Sequence, residues 1–191
     1  NLNISGTAMF AENTCKWGGG AINVSQGATL SFNSGKLSNN KAQDGGAISI
    51  NSGNLKMEGG YITDNAATST AGGIWVNKTR EAVPNFTMTG GVISGNTADK
   101  DGGGVNLING VVALSNAPVI KDNKIKDDVV SNLHEAGNMV EIAGGLSNSS
   151  EVGIYSENYK IGEQFAVNTF GKEPAGLNIL KNDRDSKLCA I

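Results

Sequence analysis

The chain has 191 residues, 27 glycines, 3 prolines, 5% aromatic and 17% charged residues, and a net charge of −3. Glycine at this level without a three-residue period excludes collagen and calls for many turns. The acidic balance gives no basic face for nucleic acid, and neither a bilayer-length apolar run nor a basic amphipathic stretch predicts a membrane-embedded segment.

In chain order, the first pattern is Phe10-Ala11-Glu12-Asn13 followed by Gly19-Gly20-Ala21-Ile22-Asn23-Val24. The glycine motif returns as Gly45-Gly46-Ala47-Ile48, Ala71-Gly72-Gly73-Ile74 and Gly102-Gly103-Gly104-Val105, at intervals of 26, 26 and 31 residues. The asparagine mark returns at Asn40, Asn65, Asn96 and Asn123, at intervals of 27, 25, 31 and 27, each with an apolar residue three places before it. Two marks in step define a stacked repeat, whose units bury their apolar side only against neighbours.

Within each unit apolar residues alternate, the period of a strand. Ile22/Val24, Ile48/Ile50, Ile74/Val76 and Val105/Leu107 form one series, and Leu30/Phe32, Leu55/Met57, Phe86/Met88 and Val112/Leu114 a second. A third short strand carries the apolar residue before the asparagine. The expected fold is all-β: a right-handed, single-stranded parallel β-helix of about five rungs. Rungs about 4.8 Å apart would stack Ile22, Ile48, Ile74 and Val105 in one inner column, and Phe10, Leu37, Ile62, Ile93 and Ile120 in another. Glycines would fill the tight bends, and the asparagines would take left-handed bends and hydrogen-bond from rung to rung. The competing β-sandwich does not require the same residue type at every period.

The pattern decays after Asn123. Residues 1–136 therefore read as the repeats, with the first rung belonging to a longer protein, and residues 137–191 as a β-rich C-terminal cap that hides the last rung. Cys15 and Cys189 have no metal-ligand spacing and read as free thiols, the alternative being a bond between them that requires the C-terminal tail to return alongside the first repeat.

The pairing of Phe10-x-x-Asn13 with Gly19-Gly20-Ala21-Ile22 resembles the repeat of polymorphic outer membrane proteins. The run from Met88 to Ala98, followed by Gly102-Gly103-Gly104-Val105, resembles repeats of large wall-attached proteins of gut bacteria. The resemblance spans about residues 4–123. It implies a pectin-lyase-like β-helix, displayed extracellularly on a bacterial surface, that binds host or microbial protein or glycan.

That fold also hosts polysaccharide lyases and hydrolases, so a carbohydrate-binding or polysaccharide-degrading β-helix is the alternative function. Asp127-Asp128 is the best candidate acid pair, although a solvated loop explains it too. Asp99-Lys100-Asp101 lacks the further oxygens that Ca²⁺ requires, and His134 reads as a surface or boundary histidine. No catalytic set, metal site or cofactor motif is assigned. Binding has better candidates. Trp75 lies between inward Ile74 and Val76, with Lys78 and Arg80 in the long following loop, and Trp17 precedes the first glycine motif. The loop from Asn77 to Asn85 either leaves Trp75 as an open platform or folds back and buries it.

Overall fold

The computed structural model describes residues 1–136, 139–156 and 180–182. The chain is an all-β parallel solenoid of about five turns, with one three-residue 3-10 turn at Lys126–Asp128 among the described residues.

Each full turn holds four strands. The strand after the glycine bend occurs as Ile22–Ser25, Ile48–Asn51, Ile74–Asn77, Val105–Leu107 and Leu133–Glu135. Its register is parallel and unshifted: Ile22 pairs with Ile48, Ile48 with Ile74, Ile74 with Val105 and Val105 with Leu133. The second strand runs as Leu2–Ile4, Thr29–Phe32, Asn54–Met57, Asn85–Met88, Val111–Asn116 and Met139–Leu146. Phe32, Met57, Met88 and Leu114 stack along it and are fully buried. The third strand stacks Phe10, Leu37, Ile62, Ile93, Ile120 and Val152. The three inner columns converge on one hydrophobic core. Each buried aliphatic side chain contributes about 1.5–3 kcal/mol, available only once the next rung covers it.

The fourth strand was not anticipated. Lys41–Ala42, Ala66–Ala67, Thr97–Ala98 and Lys124–Ile125 pair in parallel just after each asparagine. Two residues are too few to show alternation, so the sequence pattern yields three strands per turn. Small Ala42, Ala67 and Ala98 point inward here, each 4% exposed.

The bend before the fourth strand is also built differently from the expectation. The left-handed residue is the one preceding each asparagine: Glu12, Asn39, Asp64, Gly95 and Asp122 have φ between 55° and 67°. The asparagine itself turns inward and forms a ladder. Asn40 donates its backbone N–H and its Nδ2 to Asn65 Oδ1, at 3.0 and 2.9 Å. Asn13 does the same to Asn40, Asn65 to Asn96, and Asn96 to Asn123. Each Nδ2 from Asn40 onward also donates to the carbonyl of the apolar residue one rung earlier, such as Leu37 for Asn65. Asn40, Asn65, Asn96 and Asn123 are fully buried, so these bonds satisfy groups that water cannot reach.

The ladder runs on to Asn132, whose Oδ1 accepts from Asn123 N and Nδ2. Asn132 belongs to the glycine bend, where it takes the stacking place of Gly104. After Asn123 the chain folds back: Val129–Val130 pairs antiparallel with Lys124–Ile125 and closes the fourth column. The strand Glu151–Ser156 then serves two faces at once, with Val152 on Ile120 and Ile154 on Leu133. Most of the region expected as a cap, residues 137–191, lies outside the described residues. Of its described strands, Met139–Leu146 and Glu151–Ser156 stack in parallel on the preceding turn, and Leu180–Asn182 pairs in parallel with Glu151–Ser156.

Candidate functional site

Alternation turns every second residue outward, so stacked rungs carry continuous outer columns. On the glycine-strand face that column reads Asn23, Ser49, Trp75, Asn106, His134 and Tyr155. The bends pack across it: a Cβ at Gly45 would lie 3.1 Å from Trp75 Cβ, and one at Gly102 2.6 Å from Asn106 Cβ. Ser49 and Asn106 are consequently buried, and Trp75 is only partly exposed.

Lys78 and Arg80 are exposed on the loop after Trp75. That loop is held by Ser52 Oγ, which accepts from the amides of Thr79 and Arg80 at 3.2 and 2.9 Å. Trp17 is the open indole, 66% exposed, with Lys16 Nζ 4.7 Å above its ring. Cys15 carries a free thiol, and Cys189 lies outside the described residues.

His134 is a correction. Instead of a surface or boundary side chain, it is 2% exposed, with Nδ1 2.8 Å from Asn106 Oδ1 and its ring stacked on Tyr155 at 5.5 Å. The missed signal is Leu133, which takes the place of Val105 and so extends the column by one rung. Asp127 and Asp128 lie in the exposed 3-10 turn, and Asp128 pairs with Lys124 at 3.1 Å. Among the described residues no group of three or more His, Cys, Asp or Glu is arranged to hold a metal ion.

The third strands carry a second pair of outer columns. One outer column is Met9, Lys36, Tyr61, Val92 and Val119, and beside it run Ala11, Ser38, Thr63, Ser94 and Lys121. Met9 and Tyr61 are 69% and 55% exposed, whereas the residues of the neighbouring column are buried or only partly exposed. Thr63 Oγ1 is buried without a hydrogen-bond partner. The face closes in the Lys121–Glu151 ion pair at 2.9 Å, which raises the Lys121 pKa through a hydrogen bond and the attraction of the carboxylate. Tyr61 was legible from its inward neighbour Ile62, since alternation turns Tyr61 outward.

No helix among the described residues is long and apolar enough to cross a membrane. Comparisons with protein-family models, curated proteins and solved structures find no significant match.

Proposed function

We propose that the chain is a non-enzymatic segment of a bacterial cell-surface or secreted protein, adhesin-like, whose outer columns bind extracellular partners. In this reading it is a right-handed, pectin-lyase-like β-helix of the polymorphic outer membrane protein type, extracellular and part of a longer surface protein. The observation that carries it is the third-strand face, where Tyr61 and Met9 stand exposed in one column with Lys36, Val92 and Val119. A tyrosine fixed on a rigid sheet offers large contact area at little entropic cost, the property of an interface anchor. The hydrophobic core beneath supports this face from rung to rung.

Carbohydrate is the second reading. Tyr61 offers an exposed ring for stacking, with the exposed ammonium-bearing Lys36 beside it in the same column. The test is a screen of the 191-residue chain against extracellular matrix proteins and glycans, repeated with Tyr61→Ala. Binding weakened about tenfold or more by that substitution supports this face as the contact. Binding that Tyr61→Ala leaves unchanged removes it, and catalytic turnover of a polysaccharide overturns the non-enzymatic reading.

A further inference from the structure

Asn109-Gly110 is the one Asn-Gly pair in the chain. It lies in the bend of residues 108–110, between the strands Val105–Leu107 and Val111–Asn116. The fold itself demands the glycine. Gly110 has φ +145°, and a Cβ there would lie 2.8 Å from Pro84 O and 2.9 Å from Pro84 Cγ. The same missing Cβ leaves the Gly110 amide nitrogen unshielded from the side chain that precedes it.

Hydrogen bonding leaves that nitrogen open as well. On either side, Ile108 N donates to Val76 O and Val111 N to Pro84 O, whereas the Gly110 N–H has no acceptor among the described residues. Asn109 is exposed, and its Nδ2 donates to Asn77 Oδ1 in an exposed hydrogen bond of 3.1 Å. The asparagines that precede serine differ. Asn51 is followed by Ser52, which is 1% exposed and whose N–H is held by Asn77 O at 3.1 Å. Asn148 is followed by Ser149, whose N–H donates to Ser147 Oγ at 3.3 Å. Asn33 is followed by Ser34, whose Cβ stands where Gly110 has none.

We propose that Asn109 is a self-modification site, where the folded chain converts its own side-chain amide to a carboxylate through a cyclic imide with Gly110. This goes beyond the adhesin reading and does not depend on it. Solvent hydroxide takes the Gly110 N–H proton, and the nitrogen attacks Asn109 Cγ. A new C–N bond forms, the Cγ–Nδ2 bond breaks, and the leaving nitrogen takes a proton from water to depart as ammonia. Water then adds to either carbonyl of the imide and breaks its bond to the ring nitrogen, giving aspartate or isoaspartate. Both products add a negative charge and remove the donor that ties Asn77, at the root of the loop carrying Lys78 and Arg80. Isoaspartate also lengthens the main chain by one methylene. It does so in a short bend whose flanking residues, Leu107 and Val111, are in register with the rungs on both sides.

The test holds the whole 191-residue chain in mildly alkaline heavy-oxygen water, with and without denaturing urea, and follows each asparagine by fragment mass spectrometry. In the folded chain Asn109 should take up one heavy oxygen and give two separable isomers, at least about tenfold faster than Asn33 or Asn51. N109Q should remove most of the ammonia released, because glutamine has to close a larger ring. Circular dichroism reports whether that variant folds, and the unsubstituted chain gives an answer independent of it. The proposal is overturned if Asn109 keeps its amide in the folded chain, reacts only in urea, or reacts less than about tenfold faster than Asn33. Ammonia release that N109Q leaves unchanged also overturns it.

Discussion

Replacing Asn65 by alanine isolates the contribution of the internal amide ladder. Asn65 Oδ1 is the acceptor for Asn40 N and Asn40 Nδ2, and its own Nδ2 donates to Leu37 O, Thr63 O and Asn96 Oδ1. Truncation leaves the Asn40 backbone N–H buried without an acceptor, while Asn40 Nδ2 keeps Phe10 O and Asn96 Oδ1 keeps Asn65 N. One group is thus fully orphaned and several are partly so. At about 1–3 kcal/mol for each buried polar group left unpaired, the expected loss is about 3 kcal/mol. Asn13→Ala is the internal control. Asn13 is exposed, and its removal leaves Asn40 Oδ1 still bonded to the backbone N–H of residue 13, so the loss should stay below about 1 kcal/mol. Urea unfolding followed by far-ultraviolet circular dichroism measures both variants. Their m-values must agree, because a repeat coil that unfolds in parts has no single free energy. Losses within about 0.5 kcal/mol of each other would refute the claim that burial makes the ladder costly to break.

Three further outcomes follow from the same geometry. Gly46→Ala should destabilise the chain by roughly 3 kcal/mol or more in urea melts, because the new Cβ meets backbone carbonyls of Gly72 and Ala66 at 2.2 and 2.6 Å. A change below about 0.5 kcal/mol would show that the rungs separate easily there. Tyr61→Ala should leave the urea midpoint nearly unchanged, since an exposed side chain holds little of the core, and a clear drop would assign Tyr61 a structural role. The ion pair raises the Lys121 pKa above its ordinary value of 10.5, so the folded chain holds that proton more tightly than the unfolded chain. Its contribution is full below pH 10.5 and fades as the pH climbs through the raised value. Lys121→Met should flatten that part of the stability profile, and an unchanged profile would show the pair to be inert.

The inner columns were readable because Ile22, Ile48 and Ile74 repeat both type and spacing, and parallel stacking turns such identity into contact. The fourth strand escaped because Ala66–Ala67 is too short and too small to carry a period. The left-handed position escaped because Glu12, Asn39, Asp64, Gly95 and Asp122 share a backbone angle but no residue type. Toward the C-terminus the motif stops while the stacking continues: Asn132 replaces a glycine, accepts the next step of the ladder, and precedes Leu133 and His134, which stay in register. The outer surface was legible only as alternation. That placed Trp75 outward, yet its exposure is set by bends that cross from the neighbouring rung.

The stacking register can be measured directly by nuclear Overhauser contacts between selectively labelled isoleucine methyl groups. The account predicts cross-peaks from Ile48 to both Ile22 and Ile74, and from Ile62 to Ile93, residues 25 or more positions apart in the chain. Isoleucines that contact only sequence neighbours, or cross-peaks pairing Ile48 with residues of the second or third columns in place of Ile22 and Ile74, would contradict it.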